Sequence, residues 1–234
     1  MLLNAITFLT RKSSDNDILA NSRGLDGVLE KLSKLRQNVW PERLLTGEFV
    51  VFDTETTGLN FKKGDEIISL GAVRISNGEI TAHFHEYVNP LREIPAVATG
   101  ITGITNEMVA DSPDVLEILD SFLDFKGTTP LIAHNAAFDL GFVNNKLRKY
   151  CGYKLPTPVL DTFVLSHLLF PLAEHHSLDH LAQTYRVPDA GRHTALGDAI
   201  ITAKVYTAMT KELNDHGIST THELYRYLQY KRLT

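Results

Sequence analysis

Apolar residues recur at three- and four-residue intervals over much of the second half of the chain. This period is that of one buried helix face, and it predicts helices at about 114–125, 138–150, 160–169, 178–185 and 195–213. Asp161 and Ser177 stand where two of these helices begin, and both residue types cap helices well. A similar period over residues 16–38 predicts a helical N-terminal extension, assigned to residues 1–45.

Apolar runs of a different kind lie between residues 49 and 133. Phe49–Phe52 is an apolar run between polar segments, the pattern of a buried strand that ends in a loop. Further strands are predicted at 66–75 and 80–88, with a short one at Leu131–Ala133. Because strands come first and helices follow, the order predicts one α/β domain in which helices cover both faces of a mixed sheet.

The composition narrows the classes of protein. The 234 residues carry a formal net charge of −5, so a nucleic acid would have to be held locally or through metal ions. The single Cys151 excludes an internal disulfide framework and fits a reducing compartment, so a cytoplasmic location is expected. The apolar N-terminal run is far shorter than the roughly 20 residues needed to cross a bilayer, so no membrane partner is expected.

Two acidic residues follow the first predicted strand. Asp53 and Glu55 are two positions apart, and side chains at i and i+2 leave the same face of a strand. Both carboxylates can therefore point at one place, where two like charges need a cation. Buried strands commonly deliver catalytic groups from their carboxyl ends, although a solvated strand end is the ordinary alternative for this pair.

A second cluster runs from His134 to Asp139, and it is predicted to form a strand end, a tight turn and the start of a helix. Asp139 would then lie in the first helical turn. The alternative role of Asp139 is to stabilise the amino end of the helix, that of Asn135 is to cap it, and that of Phe138 is to pack in the core.

A third cluster contains His193 and Asp198. On one continuous helix these residues would be about 140° apart and could not converge on one site. Convergence requires His193 in the loop before the helix and Asp198 on its first turns, and Gly191 and Thr194 suit such a loop and cap. The alternative for His193 is an exposed loop histidine.

In this order the three clusters resemble the DEDD superfamily of 3′-5′ exonucleases, in its histidine-containing (DEDDh) branch, and most closely the epsilon-type proofreading exonucleases of bacterial DNA polymerase III. The similarity covers residues 49 to about 209 and rests on Val51–Leu59, His134–Asp139, and His193 with Asp198. It implies a ribonuclease H-like fold, a five-stranded mixed sheet flanked by helices. The exonuclease domain would be 46–213, followed by a short C-terminal helical tail at 214–234.

The resemblance also implies roles for the site residues. The acidic ligands of two divalent cations, Mg²⁺ or Mn²⁺, would be Asp53, Glu55, Asp139 and Asp198. His193 would be the general base. Contacts with the terminal nucleotide, by hydrogen bonding or by packing on the base, would come from Thr57, Leu59, Asn135 and Phe138.

The expected activity is that of a metal-dependent 3′-5′ exonuclease that releases nucleoside 5′-monophosphates from single-stranded or frayed 3′ ends of DNA. An exoribonuclease on the same fold is the first alternative, and a non-catalytic nucleic-acid-binding module is the second. No long docking tail follows the similar region, so a standalone exonuclease is expected, while association with a polymerase or clamp stays open. Basic candidates for contacts with the strand are Lys146, Arg148, Lys149, Lys154, Arg226, Lys231 and Arg232.

Overall fold

Five strands form one mixed sheet in the computed structural model, which describes residues 23–35 and 40–233, with side chains described up to residue 229. The strands are β1 (Phe49–Thr56), β2 (Ile67–Ser76), β3 (Glu79–Tyr87), β4 (Leu131–Ala133) and β5 (Val159–Asp161). Their order in the sheet is β3-β2-β1-β4-β5. The pairs β1–β2 and β2–β3 are antiparallel, whereas β1–β4 and β4–β5 are parallel.

Helices fill most of the rest of the described chain. They are α1 (Gly24–Lys34), α2 (Ala96–Thr102), α3 (Asn106–Val109), α4 (Val115–Lys126), α5 (Ala137–Lys146), α6 (Thr162–Leu169), α7 (Leu178–Thr184), α8 (Ala195–Asp215) and α9 (Thr221–Leu233). A short 3₁₀ helix spans Phe61–Lys63, and a π-helical turn spans Leu147–Cys151. None of the helices described here has both the length and the apolar character that a membrane span requires.

Strand β1 lies at the centre of the sheet and separates two hydrophobic cores. Val50 and Phe52 pack in the core that contains α4 and α5, where the ring of Phe52 lies 5.7 Å from that of Phe122. Phe49 and Val51 pack in the other core, against α8. Successive side chains of a strand point to opposite faces, so a strand covered on both faces must be apolar throughout. The prediction of helices on both faces is confirmed.

Three predicted boundaries differ from the structure, two of them because strand pairing overrides the local pattern. The helix predicted at 160–169 begins at Thr162, since the residues just before it are extended and pair in parallel with β4. The helix predicted at 138–150 ends as an α-helix at Lys146 and continues as the π-helical turn. The first strand, predicted as the apolar run Phe49–Phe52, continues to Thr56 because residues 53–56 pair with β2. The other predicted strands and helices within the described part of residues 49–213 agree with the structure to within two residues.

Helices α2 and α3 are not predicted by the sequence pattern. In α2 the apolar residues Val97 and Ile101 are exposed, and only Ala98 and Thr102 are buried. A helix without a buried apolar face has no period that could reveal it.

The segments that flank the central domain pack against it. In the predicted extension, α1 contributes Val28 and Leu32 to the core around α4, and Lys31 forms an ion pair of 2.5 Å with Asp120. Residues 1–22 and 36–39 of that prediction lie outside the described residues, and residues 40–48 are not helical. At the other end, α9 begins beside this segment, where the N–H of Thr221 donates to the carbonyl of Glu42 over 3.0 Å.

A glycine in β2 permits the close approach of a helix. Gly71 pairs with Asp53 of β1, and a Cβ atom on Gly71 would lie only 2.2–2.5 Å from backbone atoms of Ala195 and Leu196 at the start of α8. Because these atoms belong to the backbone, no side-chain rotation could relieve the overlap. The absence of a side chain at residue 71 therefore sets the distance between β2 and the amino end of α8.

We expect Gly71→Ala to lower the free energy of unfolding by about 2–3 kcal/mol, because the added methyl group must separate two backbone segments. Gly100→Ala is the matched control, since Gly100 is in α2 and a Cβ atom there meets nothing within 4 Å. Alanine should stabilise that helix by up to about 1 kcal/mol. Urea unfolding of both variants checks this, and equal effects would contradict the role of the close approach.

Candidate active site

Three carboxylates meet at the carboxyl end of β1. One oxygen atom each of Asp53, Glu55 and Asp198 lie within 4.8 Å of one another. Asp53 and Glu55 come from the same face of β1, and Asp198 comes from the first turn of α8. Two elements that are far apart in sequence thus bring like charges together, in a cluster that is partly or fully buried.

Asp139 lies beside this carboxylate cluster, in the first turn of α5. Its Oδ1 atom accepts hydrogen bonds from the backbone N–H of Thr54 at 2.9 Å and from the Thr54 hydroxyl at 2.6 Å. Thr54 stands between Asp53 and Glu55 on β1, so its side chain points away from theirs and reaches α5. One oxygen of Asp139 is thereby fixed to the strand that carries the first two acids.

A strained turn directs α5 towards the cluster. Asn135 has φ of +56°, a left-handed conformation that asparagine tolerates better than most residues. The backbone N–H groups of Asn135 and Ala136 donate to the two carboxylate oxygens of Asp161, each over 2.9 Å. Asp161 also caps α6 by accepting from the N–H of Phe163. The predicted capping role of Asp161 is confirmed, and the same side chain anchors the turn.

The third cluster takes the conformation that convergence requires. His193 is exposed in the loop before α8 and has φ of +64°. Thr194 caps the helix by accepting from the N–H of Gly197 over 3.1 Å, and its hydroxyl donates to the carbonyl of Gly191. The backbone N–H of His193 lies 3.3 Å from the Oδ1 atom of Asp198, so the loop closes directly onto the carboxylate.

Burial raises the pKa values of all four carboxylates, and for two of them the neighbouring cluster charges add to the effect. Burial is the largest cause of the raised pKa of Asp53, and the charges of Asp139, Asp198 and Glu55 add to it. Burial, followed by the charges of Asp198 and Asp139, raises the pKa of Glu55 from 4.5 to about 7. Burial raises the pKa of Asp139 to about 7 although the bonds from Thr54 oppose it, and it also raises the pKa of Asp198.

This donor set fits hard divalent cations. Carboxylate oxygens are the ligands that Mg²⁺ and Mn²⁺ prefer, and repulsion among buried carboxylates is relieved by a bound positive charge. Asp53, Glu55 and Asp198 can each direct an oxygen to one ion, and Asp139 keeps a second oxygen that Thr54 does not use.

A cleft of about 320 Å³ opens beside the cluster. Its lining residues are Asp53, His134, Asn135, Phe163, Ser177, Leu178, Arg192 and Asp198. Among the predicted substrate contacts, Asn135 is therefore part of the same cleft as two of the acids. Leu59 is 84% exposed in the loop after β1, where a large apolar side chain gains nothing from packing.

The other two predicted substrate contacts have partners within the protein. Thr57 is buried, and its hydroxyl oxygen accepts a hydrogen bond of 3.0 Å from the N–H of Glu66. Phe138 is half-buried, with its ring 5.1 Å from that of Phe142. Contacts of these residues with a nucleotide stay predictions.

Among the basic candidates for strand contacts, the prediction is wrong for Lys146. Its side chain is 5% exposed and forms an ion pair with Glu66. It lies on the buried side of α5, which the charge alone could not indicate. Residues with exposed positions are Arg148, Lys149, Lys154 and Arg226, whereas the side chains of Lys231 and Arg232 lie outside the described residues.

Sequence reasoning misses Thr54 and Arg192. Thr54 fixes Asp139, and the guanidinium of Arg192 lies between Asp198 and Asp179 of α7. The only local signal for Arg192 is its position next to His193, and the identity of its partners comes from packing.

Comparisons with known proteins show the family to which the chain belongs. The exonuclease family model, RNase_T, matches residues 50–206. A DNA polymerase III subunit epsilon-like protein of Rhodobacter capsulatus is 46% identical over 178 residues, which are 74% of this chain and 25% of that protein. The chain spans a quarter or less of the length of the first curated relatives that it matches.

Solved structures share the architecture. Exonuclease X in complex with 5′ overhanging duplex DNA is 28% identical, with a TM-score of 0.58 over 70% of this chain and 92% of that one. The nuclease domain of 3′hExo, a DEDDh family member bound to rAMP, is 19% identical, with a TM-score of 0.63 over the same shares of the two chains. The latter likeness shows the fold alone.

The mixed five-stranded sheet with its flanking helices thus defines a ribonuclease H-like fold. The chain belongs to the exonuclease family.

We expect the free energy of unfolding, measured in a chelator, to fall as the pH rises from 5 to 8. The folded pKa of Glu55 is about 7 and its ordinary value is 4.5, so between these values the folded protein holds a proton that the unfolded chain has released. Stability is therefore greatest at low pH and is lost as the pH rises through 7. Denaturant unfolding over this pH range measures the decline.

Glu55→Gln should make the fall in the free energy of unfolding with pH less steep, because the amide does not titrate. Glu79→Gln, at an exposed position at the start of β3, is the matched control and should leave the decline unchanged. Adding Mn²⁺ should raise the melting temperature more at pH 8 than at pH 5, since cations bind deprotonated carboxylates. If the free energy of unfolding in the chelator rose with pH, the proposed repulsion among the buried carboxylates would be contradicted.

Proposed function

We propose that the protein is a metal-dependent 3′-5′ exonuclease that releases nucleoside 5′-monophosphates from single-stranded or frayed 3′ ends of DNA. The observation that carries the proposal is the convergence of Asp53, Glu55 and Asp198, with Asp139 beside them and the His193 loop closing onto the cluster. In a member of the exonuclease family, this set of groups supports hydrolysis of a phosphodiester and not binding alone.

The acidic residues would act as ligands. Asp53, Glu55, Asp139 and Asp198 would hold two divalent cations, Mg²⁺ or Mn²⁺, which supply electrostatic stabilisation of the attacking and leaving oxygens. Thr54 keeps Asp139 aligned by donating two hydrogen bonds to one of its oxygens. Buried and hydrogen-bonded ligands hold their geometry without reorganising during the reaction.

His193 would act as the general base. A neutral imidazole has a ring nitrogen that can accept a proton from the attacking water. Its exposed position leaves the ring accessible to a water molecule and to the substrate. Attack of that water on phosphorus breaks the bond to the 3′ oxygen of the preceding nucleotide, which leaves with the shortened strand, and a nucleoside 5′-monophosphate is released.

The remaining site residues suit a terminal nucleotide of any sequence. Leu59 offers an exposed apolar surface in the loop after β1, and Asn135 offers an amide within the cleft. Packing on a base face is tolerant of sequence, because every base has such a face. The preference for DNA is supported by the name of the Rhodobacter capsulatus relative and by the DNA bound in the Exonuclease X structure.

The experiment that tests the function is degradation of 5′-labelled single-stranded DNA and RNA of matched sequence, with Mg²⁺ or Mn²⁺. We expect a ladder that shortens from the 3′ end on DNA. Asp53→Asn should abolish it, because it removes the central charge of the cluster at nearly constant shape, while circular dichroism and the melting temperature show an intact fold.

Each outcome of this assay has a defined meaning. Degradation of RNA alone would retain the mechanism and replace the substrate by RNA. Wild-type activity in Asp53→Asn would contradict the assignment of the carboxylates. Binding of both strands without cleavage of either would support a non-catalytic nucleic-acid-binding module instead.

We expect His193→Ala to lower the single-turnover rate by about 10²–10⁴, with little change in DNA affinity, since a general base acts in the transition state. His222→Ala, at an exposed position on α9, is the matched control and should leave the rate unchanged. Rapid quench kinetics and fluorescence anisotropy measure the two quantities. Equal losses of rate and affinity would argue against a base at residue 193.

A further inference from the structure

The guanidinium of Arg192 joins the carboxylate cluster to a helix that carries none of the proposed ligands. Its Nε and Nη2 atoms lie 2.5 and 3.3 Å from the two carboxylate oxygens of Asp179 on α7. Its Nη1 atom donates to the Oδ2 atom of Asp198. Planar guanidinium groups present donors in a fixed fork, so one arginine can bind two carboxylates on different sides at once.

Burial differs between the two ends of this bridge. The side chain of Asp179 is 61% exposed, that of Arg192 is 22% exposed and that of Asp198 is 8% exposed. The bond to Asp198 is therefore the better shielded from water of the two. The bidentate contact with Asp179 fixes the direction from which the guanidinium approaches the cluster.

The bridge also restrains the loop that carries the proposed base. Arg192 directly precedes His193, whose backbone has φ of +64° and whose N–H lies 3.3 Å from the second oxygen of Asp198. Asp198 thus receives Arg192 on one oxygen and the His193 backbone on the other. Both contacts come from adjacent residues, so the orientation of the carboxylate and the position of the loop are coupled.

The charges of the bridge offset each other. Arg192 contributes one positive charge beside a site that must accept cations, and Asp179 contributes one negative charge in direct contact with it. Removing only Asp179 leaves Arg192 paired with Asp198 alone, so the net charge beside the cluster becomes more positive and the attraction for a divalent cation becomes weaker. Removing the charges of both Arg192 and Asp179 restores the original net charge beside the cluster.

We propose that Arg192, held by Asp179, is a positioning residue of this active site that orients Asp198 and fixes the loop carrying His193. The inference rests on the proposed function. Arg192 acts through these two groups, and Asp179 acts through Arg192. Removing a hydrogen-bonding partner of a metal-ligating carboxylate typically lowers activity or metal affinity by about 10- to 100-fold.

The test compares Arg192→Met, Arg192→Lys, Asp179→Asn and the double variant Arg192→Met/Asp179→Asn with the wild type. Kinetics on 5′-labelled single-stranded DNA give kcat and KM. We expect Arg192→Met to lower kcat by about 10- to 100-fold with KM within about threefold. Arg192→Lys should not rescue kcat, because an ammonium group lacks the rigid fork that holds Asp179 through two donors and Asp198 through a third. The double variant should be no slower than Arg192→Met, since Asp179 acts through Arg192.

Calorimetric titration with Mn²⁺ provides a readout that does not depend on turnover. We expect Asp179→Asn to weaken Mn²⁺ binding by about three- to tenfold in the wild type and to cause no further loss in the Arg192→Met background. Arg74→Met is the matched control, because Arg74 contacts Glu48 and the carbonyl of Phe125, remote from the cluster. It should lower the melting temperature and leave kcat and Mn²⁺ binding unchanged.

Several outcomes would overturn the inference. The inference fails if kcat is unchanged in Arg192→Met or if Arg74→Met loses as much kcat as Arg192→Met. It also fails if the effects of Arg192→Met and Asp179→Asn multiply in the double variant. If the wild type cleaves no strand, the proposed function fails, and the Mn²⁺ titrations still decide whether Asp179 acts on the cluster through Arg192.

Discussion

Four carboxylates share one partly buried volume, and their mutual repulsion is the constraint to which the rest of the structure responds. Asp53 and Glu55 leave the same face of β1, and Asp139 and Asp198 approach from the first turns of two helices. Burial and the neighbouring charges raise their pKa values, so the folded state bears a cost whenever all four are ionised without a cation. That cost must be offset by packing and hydrogen bonds elsewhere.

The scaffold offsets it through the position of β1. This strand is paired on both edges and covered on both faces, so its backbone cannot shift to separate the charges. Gly71 of β2 pairs with Asp53 and allows the backbone of α8 to approach at the same level. A missing side chain in one strand thereby places Asp198 opposite the acid of the next strand. The contact between Gly71 and the amino end of α8 therefore accounts both for the close packing and for the proximity of Asp198 to Asp53.

Local rules suffice for the parts of the site that lie within one segment. The spacing of Asp53 and Glu55 fixes their common face, and the separation of His193 and Asp198 requires a loop followed by a helix start, which Thr194 caps. Local rules fail for β5, whose three residues are extended because they pair with β4, and for α2, which buries too few apolar residues to show a period.

Supporting groups are harder to predict than ligands for a chemical reason. A cation specifies oxygen ligands, so the residue types and spacings of the acids appear in the sequence. A carboxylate that needs a hydrogen bond accepts one from any donor, and here Asp139 uses Thr54 whereas Asp198 uses Arg192 and a backbone N–H. These donors share no residue type and no spacing. Lys146 illustrates the reverse case, since its charge suggests a surface position and its partner Glu66 holds it in the interior. The role of a charged side chain near this site therefore depends on which opposite charge the fold places beside it.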